Sequence, residues 1–342
     1  MAVVFAAAML AACAHGPAPS TGARPRIVWP PAPDPARIEF VQSISTPKDV
    51  GIRASWFKRA VLWIARGRVV RGMARPFAIA VGADGRIVVA DPDARSVHLF
   101  DPTRSRYERL VKAGDGPLVS PIGVAIDTAG QIYVSDSASG EVHRFDERGR
   151  WLGPFGTAAE IGRPTGLAYD TRAERLYVVD TIGHRIVGLD SDGEKVLDAG
   201  RRGTGPGEFN YPVAIAIDRD GLLYVADAMN FRIQVLDGAG QFVREFGRPG
   251  RATGQFDKIK GLALDSDGHV YVSDALHDVV QVFDREGRLL TVIGGSGSRA
   301  GEFWLPAGLY IDASDRIFVA DSANHRIQVL RYLGSLVAEN TG

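Results

Sequence analysis

One phrase recurs along this chain at a nearly fixed interval. "PTGLAYD" begins at Pro164; its equivalents begin at 76 ("PFAIAVG"), 121 ("PIGVAID"), 212 ("PVAIAID"), 259 ("IKGLALD") and 306 ("PAGLYID"), in steps of 45, 43, 48, 47 and 47 residues. A second run follows each, as in "RIVVAD", "QIYVSD", "RLYVVD", "LLYVAD", "HVYVSD" and "RIFVAD", and then a third, as in "SVHLFD", "EVHRFD", "RIVGLD", "RIQVLD", "VVQVFD" and "RIQVLR". A weaker fourth closes most units, for example "QFVREFG" and "RLLTVIGG". The runs are short, β-branched and bounded by Gly, Asp and Pro, which is the chemistry of strands. The 40 glycines suit a chain with many tight turns.

A unit of four antiparallel strands has two apolar faces and buries them only against neighbours. Six units in phase therefore predict an all-β fold, a six-bladed β-propeller with four-stranded antiparallel blades, over residues 37–334. The repeated phrases resemble NHL repeats, and the resemblance implies a propeller of the NHL type. The last unit ends near Leu333 after three clear strands. "RIEFVQSIS" (37–45) is expected to supply its outer strand and close the ring; a removable tail is the other reading.

The first residues carry a different message. Ala2 to Ala12 form an apolar run too short to span a bilayer as a helix but suited to a signal-peptide core. "Leu10-Ala11-Ala12-Cys13" resembles the lipobox of bacterial lipoproteins, without the usual basic stretch before it. The resemblance implies a signal peptide over 1–12, diacylated Cys13 as the mature N-terminus, and, because Ala14 follows, an outer-membrane anchor facing the periplasm. Cys13 is the single cysteine, so an intramolecular disulfide is excluded. Residues 13–36 are Pro-rich and read as an extended tether, and 335–342 as a tail. Between tether and first blade, 52–75 carries seven basic residues and no acid. It reads as an amphipathic basic helix, either a cap on the propeller or a contact with an anionic surface or partner.

Lys+Arg and Asp+Glu number 40 each, so the whole molecule is no generic polyanion binder. NHL domains elsewhere bind RNA, but an envelope address argues against a nucleic-acid partner. Phosphate-loop, HExxH, CxxC and nucleophile-elbow patterns are absent from the sequence, and no cofactor is expected. Other six-bladed propellers of this kind, peptidyl-hydroxyglycine amidating lyases and gluconolactonases, work with a metal, so metal-dependent lyase or lactonase chemistry at the channel mouth is the alternative, though no cluster matching the gluconolactonase ligands stands in the sequence. The blade histidines His98, His143, His184, His269, His277 and His325 stand in different registers, which argues against one metal centre.

Three kinds of position remain as binding candidates. The six aspartates ending the second strands (Asp91, Asp136, Asp180, Asp227, Asp274, Asp321) are expected to accept N–H groups of the following turn, as structural residues. Arg185, Arg232 and Arg326 share one place in three units and read either as inter-blade ion pairs or as a cluster facing an anion. Lys260 stands where the other units have Phe77, Ile122, Thr165, Val213 and Ala307; a lone buried amine is costly, so it should reach water, a partner or an anion. Tyr310 replaces an otherwise invariant Ala (Ala80, Ala125, Ala168, Ala216, Ala263) and should fill part of the channel or its mouth. The Gly-x-Phe loops before blades four to six should staple neighbouring blades through Phe209, Phe256 and Phe303, leaving Asn210, Tyr211, Lys258 and Trp304 exposed on one face. The expected function is a binding or scaffold module for an envelope protein, peptide or glycan.

Overall fold

The computed structural model describes residues 26–52, 72–156 and 161–334. Four antiparallel strands make each blade. In blade four they are Pro212–Ile217, Leu223–Asp227, Arg232–Leu236 and Phe242–Phe246, hydrogen-bonded in that order. The innermost strands touch one another in sequence, and the strand of blade six touches that of blade one, so the ring is closed.

Burial follows from this arrangement. Second strands are apolar on both faces because both faces meet neighbouring blades; Ile87–Asp91, Leu223–Asp227 and Val270–Asp274 are buried along their whole length. Between each pair of adjacent blades lies one apolar cluster. The cluster between blades six and one joins Phe318, Ala320 and Ile327 to Val81, Val89 and Phe100. Fully burying one such aliphatic or aromatic side chain contributes about 1.5–3 kcal/mol. Phe209, Phe256 and Phe303 are fully buried staples. Each packs so closely on a glycine at the end of the preceding blade that a Cβ on Gly200 would stand 2.6 Å from the Phe209 ring.

Ring closure uses the N-terminal strand. Ile38–Ile44 pairs antiparallel with Arg326–Tyr332, from Ile38 opposite Tyr332 to Ile44 opposite Ile327. Ile38 enters the cluster between blades five and six, and Ile44 the cluster between six and one. A short strand, Val28–Trp29, adds a fifth member outside it. The stretch assigned to the tether thus already lies on the propeller at Val28–Trp29. The predicted basic helix falls mainly on 53–71, outside the described residues; its described flanks, Ile52 and Met73, are buried together in the cluster between blades six and one.

Deleting the closing strand removes two buried isoleucines and exposes an edge of blade six. A chain beginning at Val50 is expected to melt at least about 5 °C below one beginning at Arg26. Equal melting temperatures, measured by circular dichroism, would show that closure does not depend on this strand.

Candidate functional site

The inner strands all begin at one end of the ring, where the second strands end and the third begin. The six ring aspartates lie there and are buried. Their carboxylates reach upstream of the blade as well as into the following turn. Asp91 accepts from the Ala74 and Arg75 amides (2.6 and 3.0 Å) as well as from Ala94, and Asp180 from Gly162 and Arg163 (3.1 and 3.0 Å) as well as from Gly183. Asp136 and Asp274 do the same to Val119 and Ser120, and to Asp257 and Lys258. Each carboxylate therefore fixes the segment that leads into its own blade. Burial alone would raise the pKa of Asp91 and Asp180. The bonds from His98, Ala74, Arg75 and Ala94 in one case, and from Arg163, Gly162, Gly183 and Arg185 in the other, outweigh it and hold both below the ordinary value.

A β-bulge follows immediately. In blade five Ile259 pairs with Asp274 and Gly261 with Ser273, leaving Lys260 as the extra residue; Ile122 and Val213 are the extra residues of blades two and four. Bulges re-aim side chains, and here they turn the second residue of the inner strand into the channel mouth. Lys260 is half-buried, and its Nζ lies 5.6 Å from the centroid of the Phe77 ring. Phe77 belongs to blade one, so the amine extends past blade six, where the small Ala307 occupies the equivalent place. Among the described residues Lys260 has no carboxylate or hydrogen-bond partner. Burial first, then the charges of Lys258, Arg75 and Arg163, pushes its pKa below the ordinary lysine range.

Those neighbours form the rim. The residue just before the opening position of each unit (76, 121, 164, 212, 259 and 306) is Arg75, Ser120, Arg163, Tyr211, Lys258 and Leu305 in blades one to six. Arg75, Arg163 and Lys258 are exposed. Neither Arg163 nor Lys258 has an ion-pair partner among the described residues, and Arg75 has only the exposed Asp93 at 3.9 Å. Farther out at the same end stand exposed apolar side chains: Ile182, Met229 and Leu276, each two residues after a ring aspartate, with Tyr211 and Trp304 between them. Asn210 is half-buried and donates its backbone amide to Asp227.

The three arginines share this end but stand two strands outward from Lys260, about 10 Å by strand spacing. Each pairs with the ring aspartate of its own blade rather than with a neighbouring blade's. Arg232 bonds Asp227 (2.9 Å), Glu245 (2.6 Å) and the carbonyl oxygens of Thr204, Gly205 and Glu208. Arg326 bonds Asp321 (2.7 Å) and the carbonyls of Arg299 and Glu302, while Arg185 bonds Asp180 and Asp198. Arg232 and Arg326 thus hold the loop arriving from the preceding blade. Tyr310 lies three residues beyond the mouth position, about 10 Å down the inner strand. Its hydroxyl donates to the Val81 carbonyl of blade one at 2.9 Å, which links the inner walls of blades six and one.

The histidines are dispersed. His98 is buried between Asp91 and the Tyr107 hydroxyl, His269 pairs with Asp265, His277 with Asp274, and His184 accepts the Tyr211 amide. His143 lies 3.7 Å from Glu141, and His325 contacts the Ala74 carbonyl. Among the described residues no three His, Cys, Asp or Glu side chains are grouped to hold a metal ion. Of the functional features at this end, sequence reading missed Arg163 and the apolar positions 182, 229 and 276. Reading the residue before each inner strand as one column would have found the first.

Fold and site together define a closed six-bladed β-propeller with basic residues gathered at one mouth. The NHL repeat profile matches residues 118–145, 209–236 and 303–330, which fall in blades two, four and six; three blades of this propeller thus carry NHL repeats. No curated protein matches it in sequence. Among solved structures it is similar to a catalytically inactive virginiamycin B lyase from Staphylococcus aureus with quinupristin (15% identity, TM-score 0.57, 76% of this chain and 95% of that one). It is also similar to a gluconolactonase from Xanthomonas campestris (17%, 0.59, 76% and 86%) and to an auxiliary nutrient binding protein from Bacteroides thetaiotaomicron (12%, 0.59, 76% and 70%). At these identities the likeness is one of fold.

The depressed carboxylates make stability depend on pH. A group whose pKa is lowered on folding stabilises the fold above its unfolded value, here 3.8 for an aspartate, and that contribution is lost as pH falls through the lower, folded value. The unfolding free energy is therefore expected to decline below about pH 4, and Asp180→Asn is expected to flatten this decline while lowering stability at neutral pH. A variant with the same acid profile as the parent, measured by urea titration from pH 2 to 7, would contradict this role.

Proposed function

We propose that this propeller is a non-catalytic binding module, exported and anchored through acylated Cys13, that holds an envelope protein, peptide or glycan on its mouth end. One observation carries the reading. Lys260 is a partly desolvated cation without a counter-ion among the described residues, placed by a bulge where other blades carry apolar or small residues. Such an amine costs stability unless an anionic group from outside completes it. The exposed apolar residues around the rim supply contact area of the kind that interfaces use. The lyase or lactonase alternative shares the fold, but fold alone does not carry chemistry, and its metal would need ligands that the dispersed histidines do not bring together.

Capture of envelope components on the immobilised protein tests the binding reading. Lys260→Gln is expected to weaken capture about tenfold, with the larger effect at low salt. Arg232→Gln is expected to lower stability by about 3–5 kcal/mol by breaking a buried pair, with capture per folded molecule unchanged. Undiminished capture by folded Lys260→Gln would refute the site.

Anchoring is tested separately. Cys13→Ala is expected to move the protein from the membrane to the soluble fraction or leave it unprocessed. A parent protein that is soluble and takes up no labelled fatty acid would end the lipoprotein reading.

A further inference from the structure

The rim cations are not scattered. They occupy one structural position on blades one, three and five, and that position is uncharged on blades two, four and six. Their backbone seats are equivalent: the amides of Arg75, Arg163 and Lys258 each lie 3.0 Å from the ring aspartate of their own blade. Alternate blades of a closed six-membered ring are about 120° apart, so the three side chains start from a threefold arrangement about the axis. Lys260 stands two residues deeper and reaches across the mouth toward Phe77. The carboxylates beneath them, Asp91, Asp180 and Asp274, are buried and accept backbone amides. Among the described residues other acids near the rim include Asp93, beside Arg75, Asp257, beside Lys258, and Asp278, which accepts the amide of Leu305 in blade six.

We propose that the channel mouth is a site for a terminal phosphate monoester, with Arg75, Arg163 and Lys258 around its three free oxygens and Lys260 beneath it. The inference rests on the binding reading above and names the ligand class. A carboxylate presents two oxygens in one plane. A phosphate monoester presents three around an axis, with its ester oxygen directed outward to the rest of the ligand, and it carries about two negative charges where a carboxylate carries one. Arginine meets such oxygens with paired N–H donors, and lysine adds a point charge.

The test uses the full chain with three probes at constant ionic strength: phenyl phosphate, inorganic phosphate and acetate. Binding is followed by 31P line broadening for the phosphates and by melting temperature for all three. Phenyl phosphate is expected to bind saturably and raise the melting temperature, with acetate at least about tenfold weaker. Lys260→Met and Arg163→Gln are each expected to weaken phenyl phosphate about tenfold, whereas Arg150→Gln, which removes a charge at the opposite end, leaves it unchanged. Lys260→Met keeps a long side chain at a position that is apolar in other blades, so it should fold and melt no lower than the parent without ligand. Inorganic phosphate binding as tightly as the ester would assign the site to the free ion and overturn the monoester claim. Equal binding of acetate, no binding of either phosphate, or phosphate binding unaltered in folded Lys260→Met would overturn the phosphate class. If that happened while partner capture still depended on Lys260, the binding module would stand and only its ligand class would fall.

Discussion

A buried carboxylate at the end of each second strand organises this molecule. In blades one, two, three and five it binds two consecutive amides upstream, the farther of them 17 residues back, or 18 in blade three; in blades four and six it binds one. An isolated buried carboxylate is costly. Here hydrogen bonds meet the charge, with an arginine added in blades three, four and six. Two consequences follow. The start of every inner strand is fixed against its neighbour, and in blades two, four and five a bulge beyond it re-aims the next residue. At the rim, Arg163 and Lys258 have no ion-pair partner among the described residues and Arg75 has only the exposed Asp93 at 3.9 Å, while the ring carboxylates nearby are already engaged.

The blades elaborate this device unequally. In blades four and six the aspartate is also met by an Asn, an Arg and a Gln: Asn230, Arg232 and Gln234 at Asp227, then Asn324, Arg326 and Gln328 at Asp321. The same arginines and glutamines reach carbonyls of the incoming loop. That double attachment is what the repeated "N-x-R-I-Q-V-L" wording encodes: a strand start tied to the loop arriving from the preceding blade. Blade one solves the same problem with His98 in the glutamine's place, bound to Asp91 and Tyr107. The recurring arginine is therefore architecture wherever a loop needs holding.

The fold was legible because periodicity is a property of sequence alone, and six units in phase leave little choice but a closed ring. Lys260 was legible for the opposite reason, as a departure within a column of apolar or small residues. The upstream reach of the aspartates was not, because a contact 17 residues away depends on register and curvature that no local pattern states. Arg163 and Lys258 looked like ordinary solvated charges one at a time; their meaning lies in alternation around a ring. Val28–Trp29 is too short a strand to announce itself against a proline-rich background. The segment at 52–75 was readable as basic and amphipathic, but what its middle does lies outside the described residues.

A ring of six similar blades presents the same geometry six times, so whatever it recognises must be specified by breaking that sameness. This chain breaks it in two ways at one end. Charge alternates between odd and even blades at the rim, and a single lysine replaces an apolar or small residue in the throat. Neither change serves the fold. The rim residues are held through their backbone amides whatever their side chains, as the uncharged Ser120 in the same seat demonstrates, and the throat position accepts Phe, Ile, Thr, Val or Ala elsewhere. A buried amine is the less stable choice at such a position. Residues that weaken a scaffold at a solvent-accessible opening, while their equivalents strengthen it elsewhere, mark the place where the scaffold meets something else.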